Sequence, residues 1–140
     1  MRYMFIVKGS ENLAVSGPPS AALMEAIDKG IQEMVKSGKL ASFGGLHPTS
    51  MGARMRLTNG EIVTTDGPFT ESKEVIGGFT ILNVASKEEA LAEGRSFMEL
   101  HRLHWPTWQG EIEIRRLYEE EDDVQATQIE GSRVLERAGG

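Results

Sequence analysis

GGFTILNVASKEEALAEGRSFMEL, residues 77–100, is the stretch that decides the fold. Its first eight residues are largely apolar at odd and even positions alike, the pattern of a strand covered on both faces. At Ser86 the period changes. Ser86-Lys87-Glu88-Glu89 is a capping box, in which the serine hydroxyl and the glutamate side chain each satisfy a backbone N–H at a helix start. Beyond it Leu91, Gly94, Phe97 and Met98 fall on one side of a helix. A glycine inside a helix costs about 1 kcal/mol relative to alanine, so Gly94 marks a place where the helix packs closely on a sheet. Pro106 closes the helix.

The same strand-then-helix unit stands at the N-terminus. RYMFIVK (2–8) is apolar on both alternating faces, and SAALMEAIDKGIQEMVKSG (20–38) sets Leu23, Ile27, Ile31, Met34 and Val35 at helical spacing. Ser20 reads as the N-cap and Gly38 as the left-handed residue past the end, with the Glu25/Lys29 pair on the outer face. GSENLAVSGPP joins the two as a loop. Between the two units, LASFGGLHP (40–48) reads as a strand ending before Pro48. ARMRLTNGEIVTTD (53–66) follows, a hairpin turned at Asn59-Gly60. That turn sets a register: Leu57 opposite Ile62, Met55 opposite Thr64, and Ala53 opposite Asp66. Asp66 then lies on the more apolar hairpin face, and Arg54 and Arg56 on the other. EIEIRRLY (111–118) alternates as a strand with one wet face. The order β-α-β-hairpin-β-α-β predicts an α+β plait, with helices on one face of a mostly antiparallel sheet. Two helices cannot cover both faces, and a second copy of the chain is the simplest cover for the other.

The 140 residues fit one domain. With no cysteine there is neither a disulfide framework nor a thiolate metal site. The opening MRYMFIVKG has too short an apolar run for a signal segment, and no stretch approaches a membrane span, so a cytoplasmic protein is expected. The net charge is −6, and residues 119–140, with seven acids and two bases, carry five of the six negative charges. The body is near neutral without a basic stripe, which argues against a nucleic-acid partner. The chain divides into a body at 1–118 and an acidic C-terminal arm at 119–140. The arm opens on a solvated run and continues with weak helical pattern at Val124, Ile129, Val134 and Leu135.

DGPFTESKE (66–74) running into GGFTILNV, with GGLHPTSMGARMRL upstream and GEIEIRRLYE downstream, resembles the DGPF branch of the YCII-related family. The resemblance spans about residues 1–118. It implies a ferredoxin-like plait that dimerises into an α+β barrel. It also implies a bacterial protein, in some cases encoded beside an extracytoplasmic-function sigma factor. In the wider family a histidine on the first helix and an aspartate are proposed as an acid–base pair. The first helix here, 20–37, has no histidine. The aspartate matches Asp66 by motif, and His47 is the nearest replacement partner.

Asp66 has two readings. It is a turn residue that bonds a backbone N–H two residues on, or it is a carboxylate beside a cleft, raised by burial toward useful proton transfer. His47 is a rim histidine or its neutral partner. Arg54 and Arg56 are a solvated strand face or an anion grip. Ser50 and Phe69 complete the candidate ligand contacts, with core or interface packing as the other reading of Phe69. His101 and His104 in HRLHWPTW share a helix face, but without cysteine or an HExxH pattern no metal site is expected, and no cofactor loop is present. Trp105 and Trp108 are expected to cap the open end of the sheet or rim the cleft. Two functions follow. One is a small-molecule protein with acid–base chemistry at Asp66 and His47. The other is a non-catalytic dimeric regulatory or accessory module, linked to a sigma-factor system.

Overall fold

Tyr3, Phe5 and Val7 alternate with Met4 and Ile6, so the first strand must present an apolar row to each side, and the rest of the chain is arranged around it. The structure, a computed structural model, describes residues 1–10, 17–69 and 74–120. The acidic arm from 121 to 140, and the loop residues 11–16 and 70–73, lie outside the described residues. The elements are β1 (Arg2–Gly9), α1 (Ala21–Ser37), β2 (Leu40–Gly45), a 3-10 turn (Thr49–Met51), β3 (Ala53–Thr58), β4 (Glu61–Asp66), β5 (Val75–Asn83), α2 (Lys87–His104) and β6 (Gly110–Arg116). Four strands form one antiparallel sheet in the order β2-β5-β1-β6, and β3 pairs with β4 as a separate two-stranded sheet among the described residues. This is the expected α+β plait with its inserted hairpin.

Local chemistry sets the helix ends. The Ser20 hydroxyl accepts from Leu23 N at 3.1 Å and donates to the His104 carbonyl at 2.7 Å, tying the start of α1 to the end of α2. Gly38 takes the left-handed conformation (φ 76°), and Lys39 N donates back to Met34 O. The Ser86 hydroxyl accepts from Glu89 N at 3.1 Å, while Glu89 accepts from Ala85 N at 2.9 Å, which is the capping box as read. At the other end of α1, Lys39 pairs with Glu93 at 2.8 Å and Glu89 at 3.1 Å. The helices are therefore antiparallel, fastened at both ends.

The register of β1 with β5 (Phe5 opposite Thr80, Tyr3 opposite Leu82) and β6 (Phe5 opposite Ile114) puts Tyr3, Phe5, Leu82, Ile112 and Ile114 under the helices. Tyr3, Phe5, Leu82, Val84 and Ala90 are the buried cluster, with Met34, Leu40, Ile112 and Ile114 packed on it. Gly94 answers to this layer: a Cβ there would stand 2.8 Å from Ile114 Cδ1 and 3.0 Å from Ile112 Cδ1. Leu91, placed on the same side by periodicity, is instead 48% exposed, because α2 turns only a narrow stripe to the sheet. Gly30, in the middle of α1, has no atom beyond its chain neighbours and its own helix backbone within 4 Å of where its Cβ would lie, so it bears the helical cost of glycine without a packing reason.

The opposite sheet face carries Met4 and Ile6 beside Ile81 and Phe79. The Phe79 ring lies over Gly44 of β2, 3.0 Å from a Cβ built there. Along β6 this face turns polar: Lys8 pairs with Glu113 at 2.6 Å and Glu111 at 3.4 Å. No helix among the described residues covers it. Glu119, expected to open a fully solvated tail, is instead half-buried and accepts from Arg2 N at 2.7 Å. A carboxylate at that point extends the bonding of β1 past its last ladder partner.

Candidate functional site

The DGPF stretch is strapped to the chain that leaves β2. Leu46 N donates to Gly77 O at 2.9 Å, His47 and Pro48 then turn outward, and Met51 N donates to Pro48 O as the 3-10 turn closes. The hairpin β3–β4 leaves and returns in the expected register, turned by Asn59 (φ 52°) and Gly60 (φ 80°). On its return Gly67 N donates to Gly52 O at 2.9 Å and Phe69 N to Thr49 Oγ1 at 3.2 Å. The Gly67–Pro68 peptide is cis. A Cβ on Gly67 would fall 1.6 Å from the Thr49 carbonyl oxygen, so only glycine lets the two segments meet. The Arg54 guanidinium sits 3.9 Å above the Phe69 ring centre, a cation–π contact that holds the aromatic of the motif against β3.

The structure sorts the five candidate residues into two groups. Arg54 and Phe69 meet directly, with Thr49 and Ser50 in the turn alongside. Asp66 closes β4 opposite Ala53, on the other face of the hairpin from Arg54. His47 and Ser50 are exposed. No hydrogen bond or ion pair joins His47 to Asp66 among the described residues. The expectation that the apolar hairpin face would bury Asp66 fails in the single chain. Every residue of β4 is exposed, because the hairpin leaves the sheet and no helix or strand among the described residues lies over β4. The turn-brace reading fails in its simplest form too. The residue two positions on is Pro68, which has no N–H, and the N–H groups of Gly67 and Phe69 are already satisfied by Gly52 and Thr49.

HRLHWPTW builds a different feature. His101 is buried, with ring centres 4.4 Å from Phe97 and 4.5 Å from Trp108, and its Nδ1 bonds the Phe97 carbonyl at 2.9 Å. A carbonyl only accepts, so Nδ1 carries the proton. Trp108 lies across Gly9 and Gly110, which pair with each other at the end of β1 and β6. As expected, the tryptophan caps the sheet's end. Among the described residues no group of histidine and acid side chains could hold a metal. Burial holds the His101 imidazole below its ordinary value of 6.5, against the smaller opposing effect of its bond to Phe97. A depressed histidine contributes stability that is present above the unfolded-state value and is lost as pH falls through the folded-state value. Urea unfolding should therefore show stability falling as the pH drops below 6.5. His101→Gln should flatten that slope, and a slope unchanged in the variant would assign it to other groups.

A family model, the YCII-related domain, matches residues 1–99. The chain belongs to the YCII-related family. It is 42% identical over 60 residues to an uncharacterized protein of Rhizobium meliloti (strain 1021), a stretch covering 43% of this chain and 48% of that protein. The chain thus aligns with about half the length of that curated relative. The YCII-related match takes in the strap and the first two-thirds of α2, and it stops short of the His101–Trp108 cluster and β6.

Sequence reading missed one further feature of this YCII-related domain. A cavity of about 470 Å³ lies between the helix pair and the sheet. Val7, Ile27, Ile31, Phe97 and Leu100 form its apolar wall, with Thr80 on its floor. Lys39, Glu33 and Glu93 also line it, as does Gly30. The only sequence signal was Gly30, a mid-helix glycine on an otherwise well-formed amphipathic helix.

Proposed function

We propose that this YCII-related chain works as a cytoplasmic homodimer that binds a small molecule at the strap. Asp66 and His47 handle protons, and Arg54, Ser50 and Phe69 contact the ligand. The observation that supports this most is the bonding of the turn. Its N–H groups are satisfied by Gly52 and Thr49, and Pro68 offers none, so the Asp66 carboxylate is not spent on shaping the chain. Arg54, next along β3 to Ala53, the cross-strand partner of Asp66, is seated on the Phe69 ring, and a guanidinium suits a carboxylate ligand. The reaction class such a set serves is proton transfer next to a carbonyl.

Asp66→Asn separates this from a structural role, since it keeps shape and removes charge. In a titration with small carbonyl-bearing acids, the backbone amides of Thr49, Gly52 and Phe69 should shift in the wild type. The variant should bind about tenfold more weakly or worse, with an unchanged thermal midpoint. A lowered midpoint, with no shift at those amides in the wild type, would show Asp66 to be a brace.

That outcome would favour the second reading, a non-catalytic dimeric module serving a regulatory system such as a sigma factor. The feature that speaks for it is the β3–β4 hairpin, whose Met55, Leu57 and Ile62 are each more than 70% exposed, a surface suited to another protein.

A further inference from the structure

We infer that the cavity between the helices and the sheet is a second binding site, for an uncharged and mostly apolar small molecule with one hydroxyl or carbonyl end. Three observations carry this. First, a cleft of about 470 Å³, open to solvent at its mouth, stands between the helices and the sheet, within the size range of ligand pockets. Ile27, Ile31, Phe97 and Leu100 stand around it only half-buried. Second, Gly30 lines this space, and apart from its chain neighbours and its own helix backbone no atom stands within 4 Å of its missing Cβ. Its backbone is not in the left-handed region, so the chain conformation does not require glycine. Alanine or a larger residue would suit the helix better and would begin to fill the cavity. The absent side chain leaves room on the wall. Third, the charges are arranged against an ionic guest. Lys39, the one cation lining it among the described residues, is bridged to both Glu93 and Glu89, whose hydrogen bonds hold it charged, and Glu33 adds a further acid. A carboxylate entering there would meet a surplus of negative charge. Within the apolar wall the floor hydroxyl of Thr80 is the natural partner for a neutral polar end.

The test uses two fluorescent probes that differ by one charge: N-phenylnaphthylamine, which is neutral, and its sulfonated analogue anilinonaphthalene sulfonate. The full chain should bind the neutral probe at one site per chain, at least about tenfold more tightly than the anionic one. Gly30→Phe should abolish that site while the protein keeps its cooperative unfolding and its thermal midpoint, and Gly30→Leu should weaken it. Equal affinity for the two probes, or binding that survives Gly30→Phe, would overturn the inference. So would loss of folding in both variants, because it would show that the space beside Gly30 is not open. None of these outcomes bears on the strap, which is built from other elements.

Discussion

Gly67→Ala should be among the most damaging single-methyl changes available in this chain, costing about 1–3 kcal/mol or more, as over-packed sites do. The added carbon would sit 1.6 Å from the Thr49 carbonyl oxygen and 2.5 Å from its carbonyl carbon, both backbone atoms. A side chain can swing away from such a clash; here one of the two segments must move. Either movement breaks the Gly67–Gly52 and Phe69–Thr49 hydrogen bonds and lifts Phe69 from Arg54. Gly52→Ala is the matched control. It lies in the same strap with extended backbone, and its Cβ would make only an ordinary contact, 3.6 Å from the same oxygen. Hydrogen exchange should show the strap amides of the Gly67 variant losing protection while those of β1 and β5 retain theirs, since the strap is a satellite of the sheet. Equal tolerance of the two substitutions would mean that the segments are not packed together.

Much of this architecture could be read from the residues because the signals were local. Asn59-Gly60 fixed the hairpin register since both residues accept a positive φ. Ser20, Gly38 and the Ser86/Glu89 box marked helix ends because caps act within one turn. What escaped was set by distance between elements. Periodicity shows which side of α1 is apolar, but not how far that side stands from β5, so the cavity behind Ile27 and Ile31 left no pattern. Asp66 shows the same limit. Its register was read correctly, yet a face becomes a buried face only if something lies over it, and β3–β4 leaves the sheet. The need for glycine at position 67 is a tertiary contact across about eighteen residues of chain. His101 was weighed only as a metal ligand, although Phe97, Trp105 and Trp108 around it spelled an aromatic cluster.

The wild-type chain should sediment at micromolar concentration as a species of twice its 15.4 kDa, and a single glutamate on the open sheet face should halve that. Met4, Ile6, Phe79 and Ile81 make an apolar centre on the two middle strands, on the side away from the helices. Lys8, Glu111, Glu113 and Arg115 rim it along β6 with ion pairs. An apolar centre with a charged rim is how protein interfaces are built. The hairpin points the same way. Leu57 and Ile62, 71% and 72% exposed, are cross-strand partners on a ribbon that is two-stranded among the described residues, and such ribbons are marginal in water until a third strand or a helix packs on them. A second copy set sheet to sheet would cover the open face. Ile6→Glu would place an unpaired carboxylate at the centre of that contact, at a cost of about 3 kcal/mol or more, roughly a hundredfold or greater in the dimer dissociation constant. Exposed Glu25 on the outer face of α1 gives the control: Glu25→Lys changes charge by more and should leave the dimer intact. A wild-type chain that stays monomeric at these concentrations would leave the apolar face without its proposed cover, and the strap site would then have to work within one chain.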